Sequence, residues 1–263
     1  MKFKLKRGEM LKLAALSAVF AIGGKRAIQW VAGSGSSLKA EPYEPLPAGF
    51  VKKRWGMVID MGKCADGCTV CSDACHHEHN VPTGFSGTKD EIKWIWTEKQ
   101  SSIFGETQHK YNSKKDQEKP FLYMCLQCDN PPCTRVCPVK ATYPRDDGIV
   151  MMDFHRCIGC RFCMAACPYG CRSFNYRDPR TGINEFNLDY PTRTAGVVEK
   201  CNFCNERVDK GKQPACVESC PEKVLTFGNL NDENSEIRQL LAEKKTIQPR
   251  PEIGTNPCVF YVV

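Results

Sequence analysis

The stretch CIGCRFCMAACP, residues 157–168, decides how this chain folds. Its cysteines follow the spacing C-x2-C-x2-C-x3-C-P, in which three thiols come from one tight loop and can take three corners of a cubic [4Fe–4S] cluster. Gly159 lets the backbone approach closely, so that amide N–H groups can point at the sulfides. We predict that the fourth cysteine begins a helix that leads away to a neighbouring cluster, and that Pro168 turns the chain.

Three further groups of four cysteines repeat this pattern with longer internal loops. Every group keeps three residues between its last two cysteines, and a proline follows the last cysteine in all groups except the first, where His76 stands. The register assigns sixteen of the eighteen cysteines to four [4Fe–4S] clusters and leaves Cys171 and Cys258 as free, buried residues. Group one is Cys64, Cys68, Cys71 and Cys75; group two is Cys125, Cys128, Cys133 and Cys137; group three is Cys157, Cys160, Cys163 and Cys167; group four is Cys201, Cys204, Cys216 and Cys220.

Zinc sites and disulfides are the alternative uses of so many cysteines. Zinc ribbons take two C-x2-C pairs per ion, which leaves the third cysteine and the following x3-C-P unexplained. Disulfides are favoured in exported proteins, but such dense scaffolds belong to shorter chains. A zinc- or disulfide-stapled binding module without redox chemistry is therefore the distant alternative. His76, His77 and His79 follow group one, where we expect packing more than metal binding.

Residues 1–40 have the character of a targeting signal. They carry eight Lys and Arg and one acid, Glu9, so the whole net charge of +7 falls on this segment and no basic nucleic-acid footprint is left in the body. The uncharged run 13–24 is shorter than the ~20 residues that span a membrane. Residues 7–12, RGEMLK, resemble a twin-arginine motif in which Gly8 replaces the second arginine.

A folded protein with clusters built in the cytoplasm would suit twin-arginine export. We therefore expect a peripheral protein at the extracytoplasmic (periplasmic) face of a membrane, as part of a membrane complex. No clean A-x-A cleavage site follows, so the segment either is removed or stays as an anchor on the membrane surface. A cytoplasmic N-terminal helix is the alternative.

Each cysteine group follows a short β-rich run, which predicts an α+β fold built from strand, cluster loop and short helix. Residues 141–153 indicate a hairpin with an Asp-Gly turn, and residues 225–227 indicate a closing strand. Two such modules make one pseudo-symmetric double-cluster unit, and four make two units with loop insertions. The β-rich runs are residues 55–60, 120–124, 149–154 and 196–199.

The composition along the chain predicts an ordered series of segments. The last of them holds a helix at about residues 235–244, with Ser235 as N-cap, and an extended apolar end that docks on a partner or on its own sheet. The segments are a signal-like region 1–40, a linker 41–53, module one 54–82, an insertion 83–119, modules two and three 120–172, an insertion 173–195, module four 196–228, and a helix with a docking tail 229–263. The insertions are polar with aromatic residues, and they serve as docking surfaces or as loops that shield the clusters.

The four-group register resembles the four-cluster, ferredoxin-type iron–sulfur subunits of membrane oxidoreductases, such as the dimethyl sulfoxide, polysulfide and cytochrome c nitrite reductase systems. The resemblance covers about residues 54–228. Several stretches are more similar to the DsrO subunits of DsrMKJOP membrane complexes of sulfate reducers. These stretches are residues 54–60 (RWGMVID), 74–82 (ACHHEHNVP), 91–98 (EIKWIWTE), 147–168 and 196–204.

This resemblance implies that the fourth cysteine of each group crosses to another group. Groups one and four would form one unit, and groups two and three the other. The implied ligands are Cys64, Cys68, Cys71 and Cys220 for cluster one; Cys125, Cys128, Cys133 and Cys167 for cluster two; Cys157, Cys160, Cys163 and Cys137 for cluster three; and Cys201, Cys204, Cys216 and Cys75 for cluster four.

The resemblance also implies an electron relay between a quinone-reactive NrfD-type membrane subunit and another redox subunit, here a multihaem cytochrome c, in sulfate or sulfite respiration. The same relay serving a molybdopterin-containing reductase is the alternative. The sequence agrees that the chain is not itself an enzyme, because no nucleophile–base pair, nucleotide loop or open metal site stands out in it.

Metal analysis tests the register directly. We expect about sixteen iron atoms, with matching acid-labile sulfide, per chain, because four cubane clusters hold four irons each. Elemental analysis of the purified protein measures this. Stoichiometric zinc, or thiols that remain free without iron, would favour the non-redox alternative.

Overall fold

Short strands and short helices alternate along the computed structural model, which describes residues 53–104 and 120–263. The strands are β1 (Trp55–Ile59), β2 (Ile95–Lys99), β3 (Pro120–Met124), β4 (Thr142–Pro144), β5 (Val150–Met152), β6 (Ser173–Phe174), β7 (Val198–Glu199), β8 (Leu225–Asn229), β9 (Thr246–Ile247) and β10 (Val259–Val262). The helices are α1 (Val70–Glu78), α2 (Gln100–Phe104), α3 (Pro132–Arg135), α4 (Phe162–Ala165), α5 (Asn205–Val208), α6 (Ala215–Glu218) and α7 (Glu236–Glu243), with 3-10 turns at Met61–Lys63, Pro179–Gly182 and Pro251–Ile253.

The predicted α+β pattern is confirmed, since a strand precedes each cysteine loop: β1, β3, β5 and β7. The predicted targeting segment and most of the linker lie outside the described residues, and so does Tyr111 of the first insertion. The segment boundaries proposed from the sequence therefore stay a prediction. Within the part of the chain that is described, no helix combines the length and the apolar character needed to cross a membrane.

The largest sheet joins the beginning of the described body to its end. Its strand order is β8-β1-β10-β9. β1 runs antiparallel to β8, with Met57 opposite Phe227, and parallel to β10, with Met57 opposite Val259. The predicted closing strand is confirmed and extends to Asn229. The apolar end of the chain docks on its own sheet, which is one of the two outcomes expected for it.

The predicted hairpin is also confirmed. β4 pairs antiparallel with β5, and Arg145 N donates to Ile149 O at 2.8 Å across the turn. Gly148 has a positive φ of 83°, and a Cβ there would collide with the side chain of Arg54. Arg54 Nη1 donates to Gly148 O at 3.0 Å, so this turn is held against the residue that precedes β1.

The helices differ from the prediction in one respect. We expected the fourth cysteine of a group to begin a helix, but in groups two, three and four the helix carries the third cysteine and ends before the fourth. In group one, α1 runs through both Cys71 and Cys75. His76 explains this difference, because proline would remove a helical hydrogen bond at that position and histidine does not. α1 packs against α6, and α3 packs against α4.

Part of the first insertion belongs to the core. β2 pairs antiparallel with β3, and Trp94 and Phe104 are buried with them. This segment therefore contributes packing that its polar composition does not suggest. In the tail, Ser235 stands at the N-cap of α7 as predicted, but its hydroxyl donates to Asn229 O at 2.8 Å and makes no cap hydrogen bond.

Tyr261 of β10 tests whether the C-terminal strand holds the body together. Its fully buried ring packs against Phe104 and Phe121, and its hydroxyl donates to Leu122 O at 2.8 Å. We expect Tyr261→Ala to lower the free energy of unfolding by about 3–5 kcal/mol, because it leaves a cavity and an unpaired carbonyl. Guanidinium denaturation followed by tryptophan fluorescence measures the change.

The matched control is Val263→Ala, since Val263 is an exposed residue two positions further along. This change should stay within about 0.5 kcal/mol of the parent. Equal effects of the two substitutions would mean that β10 contributes little to the stability of the body.

Candidate functional site

The four cysteine loops share one backbone feature that recurs at the same place. The residue directly before the second cysteine of each group has a positive φ: 73° at Gly67, 45° at Gln127, 68° at Gly159 and 53° at Phe203. A left-handed residue turns successive amide N–H groups toward one side of a loop, which makes a concave binding site for an anion. The loops therefore agree in shape although their lengths differ.

Two of these residues are not glycine, and each is held in place by tertiary contacts. The buried side chain of Gln127 donates to Cys201 O at 2.7 Å and accepts from Val150 N at 2.8 Å. Phe203 is buried and packs edge-on against Phe227. Such contacts offset the roughly 1–3 kcal/mol that a strained backbone costs. At Gly159 there is an additional reason for glycine, because a Cβ there would collide with Gly196 O.

A second recurrence follows the last cysteine in groups two, three and four. The third residue after it, Lys140, Gly170 or Lys223, again has a positive φ. The next amide then turns back toward the thiol: Ala141 N donates to Cys137 Sγ at 3.2 Å, and Val224 N donates to Cys220 Sγ at 3.4 Å. The C-P-x-x motif thus builds a hydrogen bond that would stabilise negative charge on the sulfur.

The first and fourth groups exchange their last cysteines in space. Burial and the neighbouring thiol of Cys220, followed by those of Cys64 and Cys68, raise the pKa of Cys71 to about 11. The pKa of Cys75 is raised well above its ordinary value by burial and by the neighbouring thiols of group four, which are Cys204, Cys201 and Cys216. The packing of α1 against α6 produces this exchange, since the two helices carry the third cysteines of groups one and four.

The second and third groups exchange their last cysteines in the same way. Burial and the thiols of Cys125, Cys167 and Cys133 raise the pKa of Cys128 to about 12. Burial raises the pKa of Cys163, and the thiols of Cys133, Cys157 and Cys137 add to it. We call the resulting sets site one (Cys64, Cys68, Cys71 and Cys220), site two (Cys125, Cys128, Cys133 and Cys167), site three (Cys157, Cys160, Cys163 and Cys137) and site four (Cys201, Cys204, Cys216 and Cys75).

The sites follow one another in an order that differs from their order in the sequence. Cys71 of site one neighbours Cys75 and Cys216 of site four. Cys201 of site four neighbours Cys125 of site two. Cys133 of site two neighbours Cys163 of site three. The order is therefore one, four, two, three.

The donor chemistry fits [4Fe–4S] clusters. All eighteen cysteines are free thiols, so no disulfide competes for them. The thiols of site two line one partly enclosed space, whose wall also includes Pro131, Pro132 and Tyr169. Four thiols that face one partly apolar cavity are the environment in which a cluster with thiolate ligands is held.

The two cysteines outside the register are free and buried, as predicted. Cys258 accepts hydrogen bonds from Arg54 Nε at 3.2 Å and Nη2 at 2.9 Å. Cys171 lines the cavity of site two, with its Sγ 3.1 Å from Met124 O. A hydrogen bond between the side chains of Cys171 and Cys167 lowers the pKa of Cys167 to about 6. Sequence reasoning missed this contact, although its signal was the position of Cys171 four residues after Cys167.

His79 packs beside site four, as expected for histidines in this place. It is buried, stacks on Trp94 with ring centroids 4.7 Å apart, and its Nε2 lies 2.8 Å from Glu206 Oε1. Its ligand atoms and those of Cys204 and Glu206 lie within 4.8 Å of one another, but Cys204 already belongs to site four.

The second insertion covers this region with a buried ion pair that the sequence did not reveal. Arg193 Nη2 lies 2.6 Å from Glu199 Oε2, and both side chains are fully buried. Trp94 Nε1 donates to the same oxygen at 3.0 Å. Arg193 also donates to Asn80 O at 3.0 Å. This insertion therefore shields the strand that leads into group four, while Leu188 within it is exposed.

Comparison with known proteins identifies relatives along most of the chain. Residues 119–230 match the family described as the 4Fe-4S dicluster domain. The chain is 42% identical to the Hdr-like menaquinol oxidoreductase iron–sulfur subunit 1 of Archaeoglobus fulgidus, over 80% of this chain and 83% of that protein. It is 35% identical to the B subunit of the polysulfide reductase of Wolinella succinogenes, over 80% and 94%, and 39% identical to NrfC of Escherichia coli, over 80% and 80%.

The exchange of last cysteines is open to test at Cys220. Cys220→Ser should damage the cluster of site one and leave that of site four intact, because the thiol of Cys220 lies with Cys64 and Cys71. Iron content together with electron paramagnetic resonance measures the loss. Cys216→Ser is the matched control and should damage site four instead. If Cys220→Ser removed the site-four signal and spared site one, the grouping would be wrong.

Proposed function

The chain belongs to the family of iron–sulfur electron-transfer subunits that includes the polysulfide reductase B subunit, NrfC and the Hdr-like menaquinol oxidoreductase subunit, and on this basis we propose that it relays single electrons between a quinone-reactive membrane subunit and a second redox subunit. It is an electron-transfer subunit and not a catalytic one. Its cofactors are four [4Fe–4S] clusters, each of which accepts and donates one electron at a time when bound.

We assign the ligands of each cluster by the four sites. Each of the four sites supplies four thiols. Three come from one cysteine group and the fourth is the last cysteine of the group it is paired with, group one with group four and group two with group three. The residues are Cys64, Cys68, Cys71 and Cys220; Cys125, Cys128, Cys133 and Cys167; Cys157, Cys160, Cys163 and Cys137; and Cys201, Cys204, Cys216 and Cys75.

The observation that carries the proposal is the linear order of the sites. Each inner site has a neighbour on both sides, and sites one and three stand at the two ends. A catalyst needs an open position for its substrate, whereas this arrangement supplies complete thiol sets and a path from one end to the other. The chain's own residues therefore hold the clusters and space them for transfer.

The two ends differ in surface character. At site three, Cys160 is exposed, and Ile158 and Phe162 beside it are 64% and 59% exposed. Exposed apolar residues of this size grouped at a redox site mark a protein interface. At site one the surrounding surface carries the exposed charged residues Lys63 and Asp66 and one exposed apolar side chain, Val70, which is 43% exposed. We propose that the apolar end meets the NrfD-type membrane subunit and that the charged end meets a multihaem cytochrome c.

The finer placement rests on the stretches that are similar to DsrO subunits. It makes the chain part of a complex of the DsrMKJOP kind in sulfate or sulfite respiration, at the extracytoplasmic face of the membrane. Affinity purification from solubilised membranes tests this. An NrfD-type subunit and a protein that stains for haem should accompany the chain. A large pterin-binding subunit in place of the cytochrome would support the molybdopterin alternative, and recovery of the chain without any redox partner would contradict both.

The apolar end can be tested by itself. We expect the double variant Ile158→Ser, Phe162→Ser to keep its iron but to lose most of its association with the membrane subunit, because two anchors of the interface become polar. Co-purification yield measures this. Leu188→Ser is the matched control, since Leu188 is 94% exposed and lies in the second insertion. Equal retention of the membrane subunit by all variants would remove site three as the docking end.

A further inference from the structure

Two positively charged side chains are buried in the middle of the relay. Lys200 is 0% exposed and Arg172 is 5% exposed. A buried charge without a partner of opposite sign is costly, so proteins rarely keep one. Each of these residues therefore requires a source of negative charge nearby.

Lys200 has only neutral hydrogen-bond partners among the described residues. Its Nζ donates to Cys201 O at 2.9 Å, to Asn202 Oδ1 at 2.9 Å and to Val150 O. Glu199, which directly precedes Lys200 in the sequence, forms its ion pair with Arg193 instead. No ion pair joins Lys200 to a carboxylate within residues 53–104 and 120–263.

Arg172 is in the same situation. Its Nη2 donates to Thr142 Oγ1 at 2.9 Å, and its Nη1 lies 3.8 Å from Met152 Sδ. No described carboxylate forms an ion pair with it either. Its guanidinium, however, reaches the side chain of Cys133.

The groups that can compensate both charges are thiolates of neighbouring sites. Lys200 neighbours Cys125 and Cys133 of site two, Cys201 of site four and the other buried cation, Arg172. Arg172 neighbours Cys133 and Cys125 of site two and Cys163 of site three. Lys200 therefore stands at the junction of sites four and two, and Arg172 at the junction of sites two and three.

We propose that Lys200 and Arg172 are counter-cations of the junctions between sites four and two and between sites two and three, and that they raise the reduction potentials of the clusters on either side of them. A [4Fe–4S] core with four thiolate ligands is an anion and gains a further negative charge on reduction. A nearby cation stabilises the reduced form more than the oxidised form, and low-dielectric surroundings strengthen the effect. Site two faces both cations, so it depends on them most. This inference rests on the proposed function, since it requires clusters at the four sites.

The test is a redox titration of the purified full chain with its clusters, followed by electron paramagnetic resonance. Signals are assigned to sites one and four with Cys220→Ser and Cys216→Ser, and to sites two and three with the corresponding variants Cys128→Ser and Cys160→Ser. Lys200→Met should change the one-electron reduction equilibrium about tenfold at sites four and two, which corresponds to about 59 mV toward more negative potential. Arg172→Met should do the same at sites two and three. Site one should stay unchanged in both variants.

Lys63→Met is the matched control, because Lys63 directly precedes Cys64 just as Lys200 precedes Cys201 but is exposed to water. Screening by solvent should make its effect small. If Lys200→Met loses iron, Lys200→Arg should restore both iron and potentials, and Lys200→Gln should show the shift. Unchanged potentials in an iron-replete Lys200→Met or Lys200→Gln chain, or an equal shift at site one, would overturn the inference. A parent chain without clusters would instead overturn the proposed function.

Discussion

Four thiols must meet at one point, and a single short loop can deliver only three of them. The fourth must arrive from another segment, and this requirement organises the described body. α1 lies against α6, and α3 lies against α4, so the last cysteine of each group, which lies on α1 or just after the other three helices, comes close to the partner group. β1 and β8 are hydrogen-bonded neighbours for the same reason, since they precede the first group and follow the fourth. Sheet pairing and ligand exchange are two results of one constraint.

The loops meet this constraint with backbone conformations that most residues avoid. Gly67 and Gly159 adopt a positive φ at little cost, whereas Gln127 and Phe203 need support from their surroundings. Gln127 receives that support from Cys201 O and Val150 N, which belong to other modules. A loop at site two is therefore stabilised by residues near site four. The conformation of one site therefore depends on residues of another site.

Charge is the second demand that the body has to meet. Glu199 and Arg193 neutralise each other where the second insertion covers β7, so their burial needs no further partner. Lys200 and Arg172 have no such carboxylate among the described residues and stand beside thiols of two sites each. The interior therefore contains two kinds of buried charge. Arg193 and Glu199 form an ion pair that covers β7, whereas Lys200 and Arg172 face the cysteine sites. Sites four, two and three each have one of these cations beside them, and site two has both.

The features that depend on local spacing can be predicted from the sequence alone. The four cysteine groups, the strands before them, the hairpin at the Asp-Gly turn and the strand at β8 all follow from residues close to one another in the chain. Residues far apart decided the rest. The exchange of Cys220 and Cys75 was implied only by family resemblance, because it depends on the packing of α1 against α6, which are more than a hundred residues apart. The order of sites one, four, two and three was not indicated at all, because it depends on contacts between different cysteine groups, such as Cys201 with Cys125. Trp94 in the core and Lys200 beside Cys125 escaped prediction for the same reason, since composition does not report which distant side chain a residue will meet.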